Sequence, residues 1–241
     1  MQNKLFYGDN LDVLRKYIKD ETIDLCYIDP PFNSKRDYNQ IYNNLGKEDK
    51  AQVHAFTDTW TWDTMAEDGL DEILFPKMYK YPKQTMELIK GLKNVLGKGS
   101  LLAYLVSMTL RITEIQRVLK PTGSFYLHCD PTTSHYLKLI VDSIFCSKGW
   151  HFKNEIIWSN ESSSGYKTQV KSKYVRGHDI IFFYSNKNSK FSTQFLTLSE
   201  STVKRYDKTD DDGKKYKIYY ENGVERRQYL EKSLGKKLSD T

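Results

Sequence analysis

The stretch Ile23-Asp24-Leu25-Cys26-Tyr27-Ile28-Asp29-Pro30-Pro31-Phe32 constrains the fold of this chain more than any other. Its apolar positions Ile23, Leu25, Tyr27 and Ile28 predict one central strand covered on both faces. Pro30 and Pro31 have no amide hydrogen to give to a ladder, so the strand must stop before them. A strand that ends on an acid and an aromatic ring, in an open α/β sheet, ends where ligands bind.

The two prolines also hold the backbone of Asp29 and Pro30 extended and leave their carbonyls without local amide partners. A carboxylate from Asp29, a carbonyl from Pro30 and a ring from Phe32 suit a planar base that carries an exocyclic amino group. The oxygens accept the amino hydrogens, and the ring stacks on the base for roughly 1–3 kcal/mol. Drawing those hydrogens onto acceptors localises the nitrogen lone pair, which can then attack an electrophilic methyl group, with positioning and electrostatics supplying the acceleration.

Asp29-Pro30-Pro31-Phe32 resembles the Asp-Pro-Pro-(Tyr/Phe/Trp) motif of the amino-group DNA methyltransferases, which methylate adenine N6 or cytosine N4 with S-adenosylmethionine (SAM). Four further segments resemble the site-specific bacterial members in the same order: Tyr7 to Leu11, Val118 to Ser124, Tyr126 to Pro131 and Asn154 to Trp158. The resemblance covers about residues 5–220. It implies an α/β, Rossmann-like SAM-dependent methyltransferase fold in its circularly permuted form. It also implies Asp29, Pro30, Pro31 and Phe32 as the catalytic set, Asp9 and Asp29 beside SAM, double-stranded DNA as substrate and a restriction endonuclease subunit as partner. The family's glycine-rich Phe-x-Gly-x-Gly turn, expected toward the C-terminus in this arrangement, does not occur in the sequence. The expectation is therefore an incomplete version of the permuted fold, with two of the strands that should hold SAM missing and a sheet edge left open.

Lys4 to Tyr7 reads as a short strand ending at Gly8-Asp9, followed by a helix that places Leu11, Leu14, Tyr17 and Ile18 on one face. Asp9 or Asn10 can cap that helix. Residues 33–62 read as a loop over a site, with Lys35 and Arg36 available to phosphates beside an extruded base. Trp60 and Trp62 pack or line the cleft. Helices follow over Phe75–Leu96, interrupted at Pro82, and over about Leu101–Leu119. Gly97-Lys98-Gly99 follows a helix, whereas a dinucleotide-type loop must follow a strand. Lys120 to Gly123 reads as a turn feeding a strand over Ser124–Cys129, then a helix over Ser134–Cys146 and strands over Glu155–Trp158 and Asp179–Tyr184. Between those strands, Lys167, Lys171, Lys173 and Arg176 alternate with tyrosines, a composition suited to a nucleic-acid backbone. Asp210 to Gly213 reads as a hairpin turn and Arg226 to Thr241 as a charged, helix-like tail. The organisation expected is a catalytic core over residues 1–195, with a helical and loop insertion at about 33–119, and the truncated start of a target-recognition or variable region over 196–241.

Composition narrows the alternatives. The chain of 241 residues carries a formal net charge of +6, which favours a polyanionic partner, and 14% aromatic residues, which supply stacking surfaces. It has no apolar run long enough to span a membrane and no signal-peptide core. Three scattered cysteines read as reduced thiols of a cytoplasmic protein. His128, Cys129, Asp130 and His135 are too crowded on one segment for a zinc site, so no metal is expected, and His128-Cys129-Asp130-Pro131, which also stops at a strand end, is expected near the active cleft. Cytosine C5 chemistry needs a Pro-Cys nucleophile pair, which is absent. Adenine N6 leads, because the motif opens on an acid. Cytosine N4, RNA or protein amide methylation, and a catalytically silent DNA-binding relic stay open.

Overall fold

A computed structural model describes residues 3–31, 37–40, 43–44, 47–48, 53–57, 60–77, 80–159, 177–191 and 199–230, the strands within 37–57 by their backbone alone. The chain divides into two compact units, Met1–Lys190 and Phe191–Thr241.

The first unit is an α/β layer structure on a mixed four-stranded sheet, ordered β1 (Ile23–Ile28), β6 (Leu119–Cys129), β8 (His178–Asn186), β7 (Trp150–Ser159). β1 runs parallel to β6, and β8 runs antiparallel to both β6 and β7. Strand alternation divides the sheet's side chains between its faces. Phe125, Leu127, Cys129, Ile180, Phe182 and Tyr184 turn toward the helices and are buried. The Phe145 ring of α5 (Ser134–Phe145) stacks on Phe125 at 4.8 Å and meets Trp150 edge-on at 5.1 Å. α4 (Ser100–Val118) packs beside α5 and is buried on nearly every side, as suits a helix surrounded by others. α1 (Asn10–Tyr17), α2 (Thr64–Leu74) and α3 (Lys83–Leu96) complete the layer around it. Leu70, Ile73 and Ile89 are fully buried there, each contributing about 1.5–3 kcal/mol of transfer free energy.

The structure corrects several expectations. β1 is not central. Among the described residues its one strand neighbour is β6, and Leu25 and Tyr27 are about half exposed while Cys26 and Ile28 pack toward the core. Lys4–Tyr7 forms no strand and has no strand neighbour among the described residues, and Leu5 and Tyr7 are almost fully exposed. α2 occupies residues where no helix is expected. Asp63 accepts a hydrogen bond from the Ala66 amide at 2.9 Å as its cap, and Ala66, Leu70 and Ile73 bury its inner face. Lys120 to Gly123 is no turn before the strand but an irregular part of β6. Leu119 pairs with Ile23 and Ser124 with Leu25, so the segment bulges between two consecutive points of register. Gly123 is needed there, because a Cβ would stand 3.0 Å from the Lys120 carbonyl oxygen and 3.1 Å from that of Asp24. Part of the expected loop is paired: β2 (Asp37–Gln40) with β5 (Val53–Thr57), and β3 (Asn43–Asn44) with β4 (Lys47–Glu48).

The second unit holds a three-stranded sheet, β9 (Lys208–Thr209), β10 (Lys215–Glu221) and β11 (Val224–Tyr229). The Gly213 amide donates to the Asp210 carbonyl at 3.0 Å in the predicted turn. Val224–Tyr229 pairs antiparallel with β10 across a tight Asn222-Gly223 turn, so the expected helical tail begins as a strand.

Candidate active site

β1 stops at Ile28, and Asp29, Pro30 and Pro31 follow it out of the sheet. They line a cavity of about 790 Å³ together with Gly8, Asp9, Cys26, Trp60, Met108 and Arg111. The Asp29 side chain is 57% exposed, so its carboxylate is available to a ligand. Burial pushes the Cys26 thiol up to about 11, which keeps it protonated at neutral pH and unsuited to nucleophilic attack.

Asp9 reaches the same cavity from the start of α1. One carboxylate oxygen accepts from the Leu11 amide at 2.7 Å and the other from Arg111 Nη2 at 2.7 Å. It is thus a helix cap and an ion-pair partner at once. Burial pushes the Arg111 guanidinium down from its ordinary value and Asp9 partly offsets this, so each fixes the other. Trp60 borders this cavity and a neighbouring one of about 420 Å³ against α2 and α4. Its Nε1 is buried and has no hydrogen-bond partner among the described residues. The donor set fits SAM, which brings cationic groups and hydroxyl donors to two carboxylates and carries acceptors for an unpaired indole N–H. Asp9, Asp29 and Trp60 are the residues that would hold it.

The sheet's other face adds Tyr27, Tyr126, Phe183 and Asp179, to which sequence reasoning gave no role at the site, and His128, whose segment was expected near the cleft. In register, Tyr27 faces Tyr126 and Tyr126 faces Phe183, with ring centroids 6.4 and 4.6 Å apart. Two residues further along β6, His128 comes to the same face and end as Asp29. His128 Nδ1 lies 3.1 Å from Asp29 Oδ1, and its Nε2 lies 3.7 Å from Asp179 Oδ2 at the start of β8. The Tyr126 and His128 alternation was visible in the sequence, whereas the pairing with Asp179 depends on β8 running antiparallel. Cys129, next to His128, turns to the opposite face, is fully buried, and has its thiol pushed far up by that burial. Asp130 caps the turn into α5, with its Oδ1 accepting from Thr132 and Thr133.

Of the residues expected at the site, Asp9, Asp29, Pro30 and Pro31 share one cavity. Phe32, Lys35, Arg36, Lys167, Lys171, Lys173 and Arg176 lie outside the described residues. A third cavity, about 680 Å³, is lined by Asp20, Lys80, Glu114 and Arg117, whose charges are already paired with one another or with neighbours.

Among known proteins, the chain is 25% identical over 186 residues to the Mod subunit of the type III restriction-modification enzyme StyLTI of Salmonella typhimurium. That alignment takes in 72% of this chain but only 23% of the Mod subunit, so the chain spans less than a quarter of that relative's length. Two crystal structures of M1.HpyAVI, one of them a SAM complex, align with 50% of this chain at 13–14% identity and cover 59–61% of their own chains. Their TM-score of 0.28 is too low to define a shared architecture. The sequence profile of the DNA methylase family of N6/N4 methyltransferases matches residues 23–239, which takes in Asp29 and the whole four-stranded sheet but not Asp9. The chain belongs to the DNA methylase family, the N6/N4 amino-group methyltransferases.

Proposed function

We propose that this chain carries the base-binding side of a DNA methyltransferase acting on the exocyclic amino group of adenine (N6) in double-stranded DNA, through a flipped base. The observation that carries this reading is the exposed Asp29 carboxylate at the end of β1, opening into the cavity that Asp9, Trp60 and Arg111 share. SAM, when bound, would supply the electrophilic methyl group and keep the electron pair of the broken sulfur–methyl bond as a neutral thioether. Asp29 and the Pro30 carbonyl accept the two amino hydrogens, and Phe32 stacks on the base, so the nitrogen lone pair is freed toward the methyl carbon. As the new N–C bond forms, the nitrogen becomes cationic and gives up one proton, which Asp29 accepts and passes to solvent. Asp9, held by Arg111, keeps a negative charge on the cofactor side.

The fold that goes with this reading is the permuted, Rossmann-like methyltransferase core over residues 1–195, its insertion at about 33–119 carrying Lys35 and Arg36 toward the phosphates. Residues 196–241 belong to the target-recognition region, and Lys167, Lys171, Lys173 and Arg176 approach the DNA backbone. Likeness to a Mod subunit supports a restriction-modification setting with an endonuclease partner. Cytosine N4 is the second reading, favoured by a family description that spans both amines.

The test is transfer from SAM tritiated on its methyl group to duplex DNA, followed by nucleoside chromatography, with SAM binding measured by calorimetry. Label in N6-methyldeoxyadenosine is expected. Label in N4-methyldeoxycytidine moves the assignment to the second reading, and the absence of both transfer and saturable SAM binding overturns the enzymatic reading for this chain.

A further inference from the structure

Asp29 is more than half exposed, and an exposed carboxylate ordinarily samples several rotamers. A catalyst that depends on positioning loses up to roughly a hundredfold when a reacting contact drifts by an ångström. The structure supplies a restraint. His128 stands beside Asp29 because β1 and β6 pair in parallel, Ile28 opposite Leu127, so the next residues of both strands reach the same end. The imidazole is largely buried, with 15% of its side chain exposed, and Asp179, equally sheltered at 14%, stands on its far side. Nδ1 is at hydrogen-bonding distance from Asp29 Oδ1, 3.1 Å, while Nε2 is 3.7 Å from Asp179 Oδ2, beyond it. An imidazole has two distinct nitrogens, and the partner of one sets the proton on the other.

We propose that His128 is a positioning residue for Asp29. It carries a proton on Nδ1 and donates it to Asp29 Oδ1, which leaves the other carboxylate oxygen turned outward for the amine. Asp179 holds the ring from behind by its charge. The inference rests on the reading of Asp29 as the amine acceptor, but its central claim concerns which nitrogen bears the proton. That claim is measurable without SAM or DNA.

The experiment is a long-range hydrogen–nitrogen correlation spectrum of the full chain, labelled with nitrogen-15 in its five histidine rings. It is recorded at about pH 8.5, where a free imidazole with a pKa of about 6.5 is neutral. Omission of one ring signal in His128→Asn assigns the residue. The expected result is a protonated Nδ1 on His128, against rings protonated chiefly on Nε2 at solvent-exposed histidines. In Asp29→Ala, which removes only an exposed carboxylate, the His128 pattern should move to that of the exposed rings. A His128 ring protonated on Nε2 alone, or one unmoved by Asp29→Ala, overturns the proposal.

Methyl transfer gives the second readout. His128→Ala should lower kcat by roughly 10- to 100-fold with KM for DNA and SAM little changed, and His128→Asn, whose Nδ2 keeps a donor near the Nδ1 position, should recover most of it. Equal losses in both variants, or a loss in KM alone, count against positioning. If every variant including the wild type fails to transfer a methyl group while Nδ1 carries the proton and responds to Asp29, the functional reading fails and the His128–Asp29 contact stands.

Discussion

Two clusters of charge in the first unit are built on opposite principles. Beneath α1 and α3, Glu114 is 3% exposed at its side chain and is surrounded by cations: Lys80 at 2.5 Å, Arg117 at 2.6 Å and Arg15 at 3.2 Å. Glu72 accepts from Arg15 at 2.6 Å and from the Tyr81 hydroxyl at 2.5 Å, and Arg117 also pairs with Asp20. Each carboxylate there is answered by a cation. At the end of the sheet Asp29 and Asp179 flank one imidazole, and Asp29 is also open to the cavity. The first arrangement leaves no capacity for a ligand and ties α1, α2 and α4 to the Lys80–Tyr81 segment ahead of α3. The second holds acceptor capacity in reserve at a strand end, which a structural cluster has no reason to do.

The sharpest test of that contrast is Asp29→Ala. Methyl transfer should fall by about 100- to 1,000-fold, as when one preorganised polar contact to the reacting group is lost. The chemical denaturation midpoint should stay within about 0.5 kcal/mol of wild type, because the side chain is mostly in solvent. A stability loss comparable to the activity loss would erase the distinction between the clusters.

Glu114→Gln should do the reverse. Three cations would lose a buried counter-charge, a change that costs about 3–5 kcal/mol at a fully buried pair and about 2–4 kcal/mol here, since the cations are roughly one-third exposed. Urea unfolding with an unchanged m-value checks it. Burial raises the Glu114 carboxyl, but its hydrogen bonds to Lys80 and Arg117 outweigh this and hold it below the ordinary carboxylate range. The same balance, with Tyr81 and Arg15 as donors, lowers Glu72. The folded protein then binds fewer protons than the unfolded chain at mildly acidic pH. This contribution is fully present above the unfolded value of about 4.3 and is lost as pH falls through the depressed folded values. Glu114→Gln should therefore flatten the acid limb of the stability curve, and an unchanged limb would mean that the network is electrostatically idle.

Smaller effects probe how β1 is held. Gly123→Ala should cost about 1–3 kcal/mol, because the new methyl meets two backbone carbonyls that cannot swing aside. Since the bulge sets the β1–β6 register, it should also weaken the Nδ1 signature of His128. Leu25→Thr, on the exposed side of the same strand, should change stability by no more than about 0.5 kcal/mol. A larger loss would mean that this side is covered in solution.

The helices that the sequence conveys best are those with long apolar periodicity: the expected spans of α4 and α5 lie within a residue of the observed ones, whereas α3 keeps only the part after Pro82, Lys83–Leu96, of the expected Phe75–Leu96. α2 is short, and its Asp63 cap and Ala66-Leu70-Ile73 spacing sit directly after an aromatic, aperiodic stretch that masked them. β1 misleads for a different reason. An apolar run states that a strand can be covered on both faces, while its place in the sheet depends on how many strands pair beside it. Lys4–Tyr7 fails in the same way, since a strand pattern without a neighbour has nothing to hydrogen-bond.

Local chemistry alone determined where β1 ends, since Pro30 and Pro31 cannot donate to a ladder whatever surrounds them. It determined the cap at the start of α1 and the turn at Asp210–Gly213 as well, because side-chain and backbone hydrogen bonds over two to four residues need no distant partner. Only tertiary structure decided that Asp9 would meet Arg111, that Trp60 would bury an unpaired N–H beside Asp29, and that His128 would stand between two aspartates. The last of these depends on the β1–β6 register and the antiparallel entry of β8. Both join residues about 50 to 100 positions apart, for which the sequence carries no local periodicity.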